Sequence, residues 1–448
     1  MKALHELGVV ESAAAIRQGK VSAVELSEAL LERIDALSDI QAWVHVDPEV
    51  VRAEARDRQA ELDRGSSAPL LGVPVGIKDI FFTAGMPTTA CSQVYADFLP
   101  DYDATSVALL RKAGAIVLGK TVTTEFAYRD PSPTLNPWNR GHTPGGSSSG
   151  SAAAVAARMC PVALGSQTRG SVLRPASYNG TVGLKPTFGR VSRFGVIPLS
   201  WSFDHVGWMT RSVEDAALLL RVLAGPDSKD PTTLPDPEPD FFKAQGDSGP
   251  PHIGVLGEYF HDNADAEVRE HTEEIAGRLA SAGARVESLE LPPSFATASD
   301  DQLTILTVEA ASFHQPMLEE KAELYGPHIR ELIEAGLRID AVRYSRALEN
   351  RLQFIADTRS LASRADVLLT PTTPTPAPSD LSVTGSAMFQ GPWTSCGLPT
   401  VTVPSGLSAT GLPLGIQLVA GPLAERRLLT AALWCERQLA LDLRPPLP

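Results

Sequence analysis

The chain has 448 residues, 43% apolar and 21% charged, which is material for a large buried core and excludes a disordered chain. With 39 basic and 53 acidic side chains the net charge is −14, unlike proteins that hold nucleic acid or an anionic membrane by bulk charge. Cys91, Cys160, Cys396 and Cys435 form no CxxC pair, so neither zinc spacing nor a disulfide framework is expected, and a reducing, cytoplasmic setting is. The first residues lack the apolar core of a signal peptide, and the longest uncharged stretch, 381–424, is broken by Gly and Pro. That stretch reads as buried strands and tight loops rather than a membrane helix.

In chain order, Ser22-Ala-Val-Glu25 is a capping box, and Val24, Leu26, Leu30, Leu31, Ile34 and Leu37 form a helical stripe behind it. Asp47-Pro48 starts a second, heavily charged helix through Val51, Ala55 and Leu62, and Gly65–Pro69 closes this helical segment, 1–64. Beyond it, Val73–Ile80 reads as a strand broken by Pro74, Ser106–Ala113 as a helix and Ala115–Leu118 as a buried strand. A small-residue helix at Ala152–Ala157, a short strand at Val162–Leu164 and a helix at Ser212–Leu223 follow. Residues 225–251, rich in Pro, Asp and Gly, read as a surface excursion. Ile253–Leu256, Asp265–Ala282 and Val286–Leu291 make a strand–helix–strand unit; 303–364 is mostly helical; a strand begins at Asp366, and 393–420 returns to strands. The alternation implies an α/β sheet with helices on its faces.

Two motifs match in letters and fail in context. Gly114–Thr121 fits the phosphate-binding pattern GxxxxGK[ST], but its variable positions, Ala-Ile-Val-Leu, are strand residues rather than a loop. Gly146-Ser-Ser148-Ser-Gly150 fits the nucleophile elbow GxSxG, but a polar loop precedes it where an elbow needs a strand. The histidines are scattered, none at HExxH spacing, and a lone His205 reads as structural.

Three segments hold chemistry. Gly76-Ile-Lys78-Asp79 puts a lysine at the end of an apolar strand; Thr143-Pro-Gly-Gly-Ser147-Ser-Ser-Gly-Ser151 opens the small-residue helix; Gly165-Ser-Gln-Thr-Arg-Gly-Ser171-Val-Leu-Arg-Pro175 follows the next strand. A Ser/Gly loop at a helix start gathers backbone N–H donors suited to an anion or a hydroxyl. Together with Glu125-Phe-Ala, Asn136-Pro-Trp, Gly183–Ser192, Val213-Glu-Asp-Ala-Ala, Gly397-Leu-Pro and Gly411–Gln417, these segments resemble the amidase signature enzymes over most of the chain. The run Arg129–Pro137 and the segment Ser171–Ala176 look most like the small bacterial members, malonamidase among them.

The resemblance implies one large α/β domain over 65–448, a twisted mixed sheet between helix layers, with 1–64 as its helical N-terminal segment. It implies a Ser–cis-Ser–Lys triad in which Ser171 is the nucleophile, Ser147 the bridge on a cis peptide and Lys78 the base. The backbone N–H groups of Thr168, Arg169, Gly170 and Ser171 are the expected oxyanion hole. The expected activity is an amide-bond hydrolase that releases ammonia or an amine, with ester, anilide or carbamate cleavage open to the same machinery. The expected substrate is a small molecule, without metal or cofactor, nucleic acid or membrane, and the expected enzyme is a monomer or homodimer. Arg169 stands where relatives usually carry a small residue. A structural ion pair, closure of the acyl pocket and a grip on a substrate carboxylate are its three readings; Arg174 is a second carboxylate-binding candidate, or packs under the nucleophile turn. Two rival readings are the A subunit of a tRNA-dependent amidotransferase and an α/β-hydrolase esterase using Ser148.

Overall fold

The computed structural model describes residues 3–235 and 249–447. After a helix at Val9–Arg17, which the sequence did not mark, two helices start where their caps say. Ser22 accepts from the Glu25 amide while the Glu25 carboxylate takes the Ser22 amide, which starts Ala23–Ala36; Asp47 caps Pro48–Asp63.

Eleven strands form one sheet: β1 (Trp43–His45), β2 (Pro74–Lys78), β3 (Ile116–Thr121), β4 (Val162–Gln167), β5 (Val182–Lys185), β6 (His205–Thr210), β7 (His252–Val255), β8 (Arg285–Ser288), β9 (Val367–Pro371), β10 (Thr400–Leu407) and β11 (Pro413–Val419). Their order is β1-β3-β2-β4-β6-β5-β10-β11-β9-β7-β8. Strands β3, β2 and β4 run parallel, as do β9, β7 and β8, while the strands between alternate in direction, so the sheet is mixed. This is the expected single large α/β domain. Pro74 opens β2 rather than breaking it, where the missing N–H costs no internal ladder bond.

Helices cover both faces. The small-residue helix Ser149–Ala156 is buried along its whole length beside β2, β3 and β4. A Cβ on Gly150 would strike the backbone of Ala42 and Val122, so only glycine permits this approach. Strands β1, β5 and β6 were not expected from the sequence, and β4 runs on to Gln167, beyond the expected end at Leu164. Of the expected excursion at 225–251, residues 236–248 lie outside the described residues. The described part preceding them is fastened down: Asp227 accepts from Thr105 and Ser192, and Asp230 from the Arg193 amide.

Candidate active site

The parallel trio β3-β2-β4 sends three carboxyl ends to the same side of the sheet, where open α/β sheets bind ligands. Lys78 is the last residue of β2 and is fully buried. Its Nζ lies 2.7 Å from Ser147 Oγ and 2.8 Å from Ser166 Oγ. The adjacent carboxylate, Asp79, pairs instead with Lys120 of β3 at 3.2 Å and accepts from the Thr89 hydroxyl. Lys120 also donates to Phe81 O and Thr88 Oγ1. Lys78 therefore has no ion pair among the described residues. Burial pushes its pKa well below the ordinary lysine value; Asp204 and Cys91 oppose that, and Arg174 adds to it. A neutral amine is the form a proton acceptor needs.

Ser147 sits on a loop pinned at every turn. Asn136 donates to Thr143 O and Tyr178 O, Asn179 to Pro144 O, and Gly145 turns the chain at φ +76°. The Gly146–Ser147 peptide is cis. Arg174 donates through Nε and Nη2 to Gly146 O and through Nη1 to Gly385 O. All three bonds go to backbone carbonyls, so this arginine fastens the serine loop to the segment around Gly385. The Thr124 amide donates to Ser147 O.

Ser171 ends the turn after β4, is 8% exposed, and its carbonyl accepts from the Ser148 amide at 3.4 Å. The structure joins Lys78 to Ser147 directly; among the described residues the Ser171 hydroxyl has no protein partner and makes no hydrogen bond to Ser147. The turn itself is braced by Gln167, whose Oε1 accepts from the amides of Val172 and Leu173 and whose Nε2 donates to Thr394 Oγ1. Thr394 in turn donates to Arg169 O. The amides of Thr168, Arg169, Gly170 and Ser171 find no protein acceptor among the described residues, so they remain available to a ligand.

Arg169 forms no ion pair among the described residues, against one of its three expected roles. Nε donates to Gln302 Oε1 and Nη2 to Ser299 Oγ, both on the helix Ala298–Lys321. Gln302 returns a bond to Thr168 O at 3.2 Å, closing a clamp on the turn. Sequence reasoning gave no role to Ser166, Gln167, Asp204, Gln302 or Thr394. The only signal was polarity at the end of an apolar strand, as in Ser166-Gln167.

The two misleading motifs are settled by backbone. Gly119-Lys120-Thr121 lies inside β3, and Lys120 is spent on Asp79. Ser148 directly precedes the helix Ser149–Ala156 with no strand before it, is fully buried, and its Oγ meets only the backbone of Ser166. His205 is buried in β6, its ring nitrogen on Phe203 O, and burial pushes its pKa well below the ordinary histidine value. Among the described residues no group of three His, Cys, Asp or Glu is arranged to hold a metal, and no helix is long and apolar enough to cross a membrane.

A family model described as Amidase matches residues 25–429. The chain is 37% identical to the A subunit of the glutamyl-tRNA(Gln) amidotransferase of Geobacter sp. (strain M21), an alignment that covers 98% of this chain and 99% of that one. Among solved structures it is similar to a chain of an unexpected vestigial protein complex that reveals the evolutionary origins of an s-triazine catabolic enzyme. There the TM-score is 0.91 at 31% identity, covering 98% of this chain and 100% of that chain. It is also similar to the native peptide amidase of Stenotrophomonas maltophilia, with TM-score 0.85 and 32% identity over 98% of each chain.

Proposed function

The chain belongs to the amidase signature family, and from that premise we propose that it hydrolyses the amide bond of a small molecule through a serine acyl-enzyme, with Ser171 as nucleophile, Ser147 as bridge and Lys78 as base. The observation that carries this reading is the 2.7 Å contact between a buried, ion-pair-free lysine and Ser147. A serine hydroxyl attacks poorly until a base takes its proton. Lys78 serves only when neutral, and each unit of pKa depression costs about 1.4 kcal/mol, here supplied by burial.

The Ser171 hydroxyl turns toward Ser147 as substrate enters, an adjustment of the kind apo sites commonly require. Ser147 gives its proton to Lys78 and takes the one from Ser171, whose oxygen bonds the acyl carbon. The amides of Thr168, Arg169, Gly170 and Ser171 receive the oxyanion; one such donor is typically worth about 3–4 kcal/mol of barrier. The proton returns from Lys78 through Ser147 to the leaving nitrogen as the C–N bond breaks, releasing ammonia or an amine. Water, deprotonated along the same route, then frees the acid. Anilide, ester and carbamate cleavage need no other groups. Nη1 of Arg169 is the guanidinium nitrogen left without a protein acceptor, and it is proposed to face a carboxylate on the acyl group. Arg174, spent on backbone carbonyls, is proposed to act on the same acyl group only through the serine loop it holds.

A second reading, the A subunit of a tRNA-dependent amidotransferase, is favoured by the 37% identity over nearly the whole length of such a chain. It uses the same triad but needs partner chains, so turnover of simple amides by the purified single chain separates the two. The esterase reading with Ser148 is disfavoured by its burial and the missing strand. A fluorophosphonate should label Ser171, seen by peptide mass spectrometry, and Ser171→Ala should remove the label. Label on Ser148 instead contradicts the assignment.

A further inference from the structure

We propose that Asp204 is a positioning residue for this chemistry: its carboxylate stabilises Lys78 while the lysine carries the proton, and its bond to Thr168 ties that charge to the turn that holds the oxyanion. The proposal rests on Lys78 being the base. Asp204 directly precedes β6, whose first residue, His205, pairs with Gln167 at the end of β4. One oxygen accepts from Thr168 Oγ1 at 2.6 Å; the other accepts from the amides of Leu199 and Ser200 at 2.8 and 3.0 Å. Burial raises the pKa of this carboxyl, and the three donors oppose that by favouring its ionised form.

No cation pairs with that carboxylate among the described residues. Arg193 bonds only the Asp204 backbone carbonyl, with its Nε toward Asp230. Lys78 likewise lacks an anion. Both are reached from Ser166: its hydroxyl touches Lys78 Nζ, and with Asp204 and Thr168 it lines a cavity of about 10 Å³. That is about the smallest space able to hold one water molecule. A buried lysine that accepts a proton becomes an unpaired ammonium in a low-dielectric site, the most costly species of the cycle. A carboxylate held on the same cavity as Ser166 lowers that cost in its ionised form without joining the proton transfer.

Asp204 and Arg174 are the charged groups that act on Lys78, since burial holds the Cys91 thiol protonated with its pKa near 12; the Asp79–Lys120 pair on the neighbouring strand is internally neutral. The charged groups around Asp204 itself are Arg193 and Lys78, with His205 neutral beside it. Removing the Asp204 charge disfavours the ammonium, so the ionisation of Lys78 moves to lower pH.

The test is the pH dependence of kcat/KM on one amide, in wild type and in Asp204→Asn. The variant is expected to lose at least about tenfold in kcat while its ionisation moves acidward by about one pH unit, the size of a nearby opposite charge. Asp204→Ser is measured alongside in case the amide disturbs folding; the same shift is expected, and added formate should restore part of the rate. A folded variant whose ionisation stays in place, or moves to higher pH, overturns the proposal and leaves the lysine-base reading intact. A wild-type ionisation that survives Lys78→Ala contradicts that reading itself.

Discussion

Arg169 shows how one side chain decides between binding and support. Its guanidinium spans from the turn before Ser171 to Gln302 and Ser299. Burial lowers its proton affinity, and no acid pairs with it among the described residues. A half-buried arginine without an acid still loses solvation that a ligand anion can restore. Arg169→Gly should therefore raise KM for amides bearing a carboxylate by about tenfold or more, the value of a charged hydrogen bond, and spare neutral amides. Equal losses on both point to support of the turn alone; steady-state kinetics on a matched acidic and neutral pair reads the difference.

At the scale of elements, the site is the meeting of three strand ends and two turns, with the helix Ala298–Lys321 closing over them. Gln302 couples that helix to Thr168 O and Arg169 Nε. Gln302→Leu strands both partners, a cost of about 1–3 kcal/mol when such groups are buried. The loosened turn should appear as a fall of about tenfold in kcat on amides; an unchanged kcat would mean that the clamp plays no part. The sequence made the capped helices and the buried strands β2, β3 and β9 legible, because caps and apolar runs are local signals. Three ordered motifs also singled out Lys78, Ser147 and Ser171, of which the structure joins Lys78 to Ser147 at 2.7 Å. Strand β6 was not legible: His205-Val-Gly-Trp-Met-Thr210 has neither alternation nor a β-branched run, and it is a strand because it is enclosed between β4 and β5. Gln302 was invisible for the same reason. It lies 133 residues from its Arg169 partner on a helix of ordinary composition, and its role exists only in the packed molecule.

Across the chain, three lysines lie buried in an interior that also holds buried carboxyls such as Asp79, Asp215 and Glu425. Lys78, Lys120 and Lys185 are enclosed between the helix layers, with burial holding Lys120 near pKa 8 and Lys185 near 7. Each binds fewer protons folded than unfolded, so these groups add stability as pH rises from about 7 toward the ordinary lysine value. Glu436 works in the opposite sense. Burial, helped by Asp215 and Glu214, raises its carboxyl to about 7, while its Oε1 accepts from the Val213 amide where two helices meet. The folded state then binds more protons than the unfolded one between the ordinary glutamate value and about 7, and this contribution is lost as pH rises through that window. Glu436→Gln keeps an acceptor for Val213 and removes the charge. Its melting temperature should exceed that of wild type at pH 9 and match it at pH 5; a gain only at pH 5 would reverse the assignment.

That a neutral, buried lysine drives acylation through Ser147 is tested most directly by Lys78→Ala, assayed across pH on an amide and on an ester with a good leaving group. Wild-type amide turnover should climb along one ionisation below the ordinary lysine pKa and stay high in alkali. The variant should lose that ionisation and lose amide turnover far more than ester turnover, because a departing amine needs a proton that an activated ester does not. Amide turnover by Lys78→Ala at the wild-type rate, at any pH, would contradict the lysine-base mechanism.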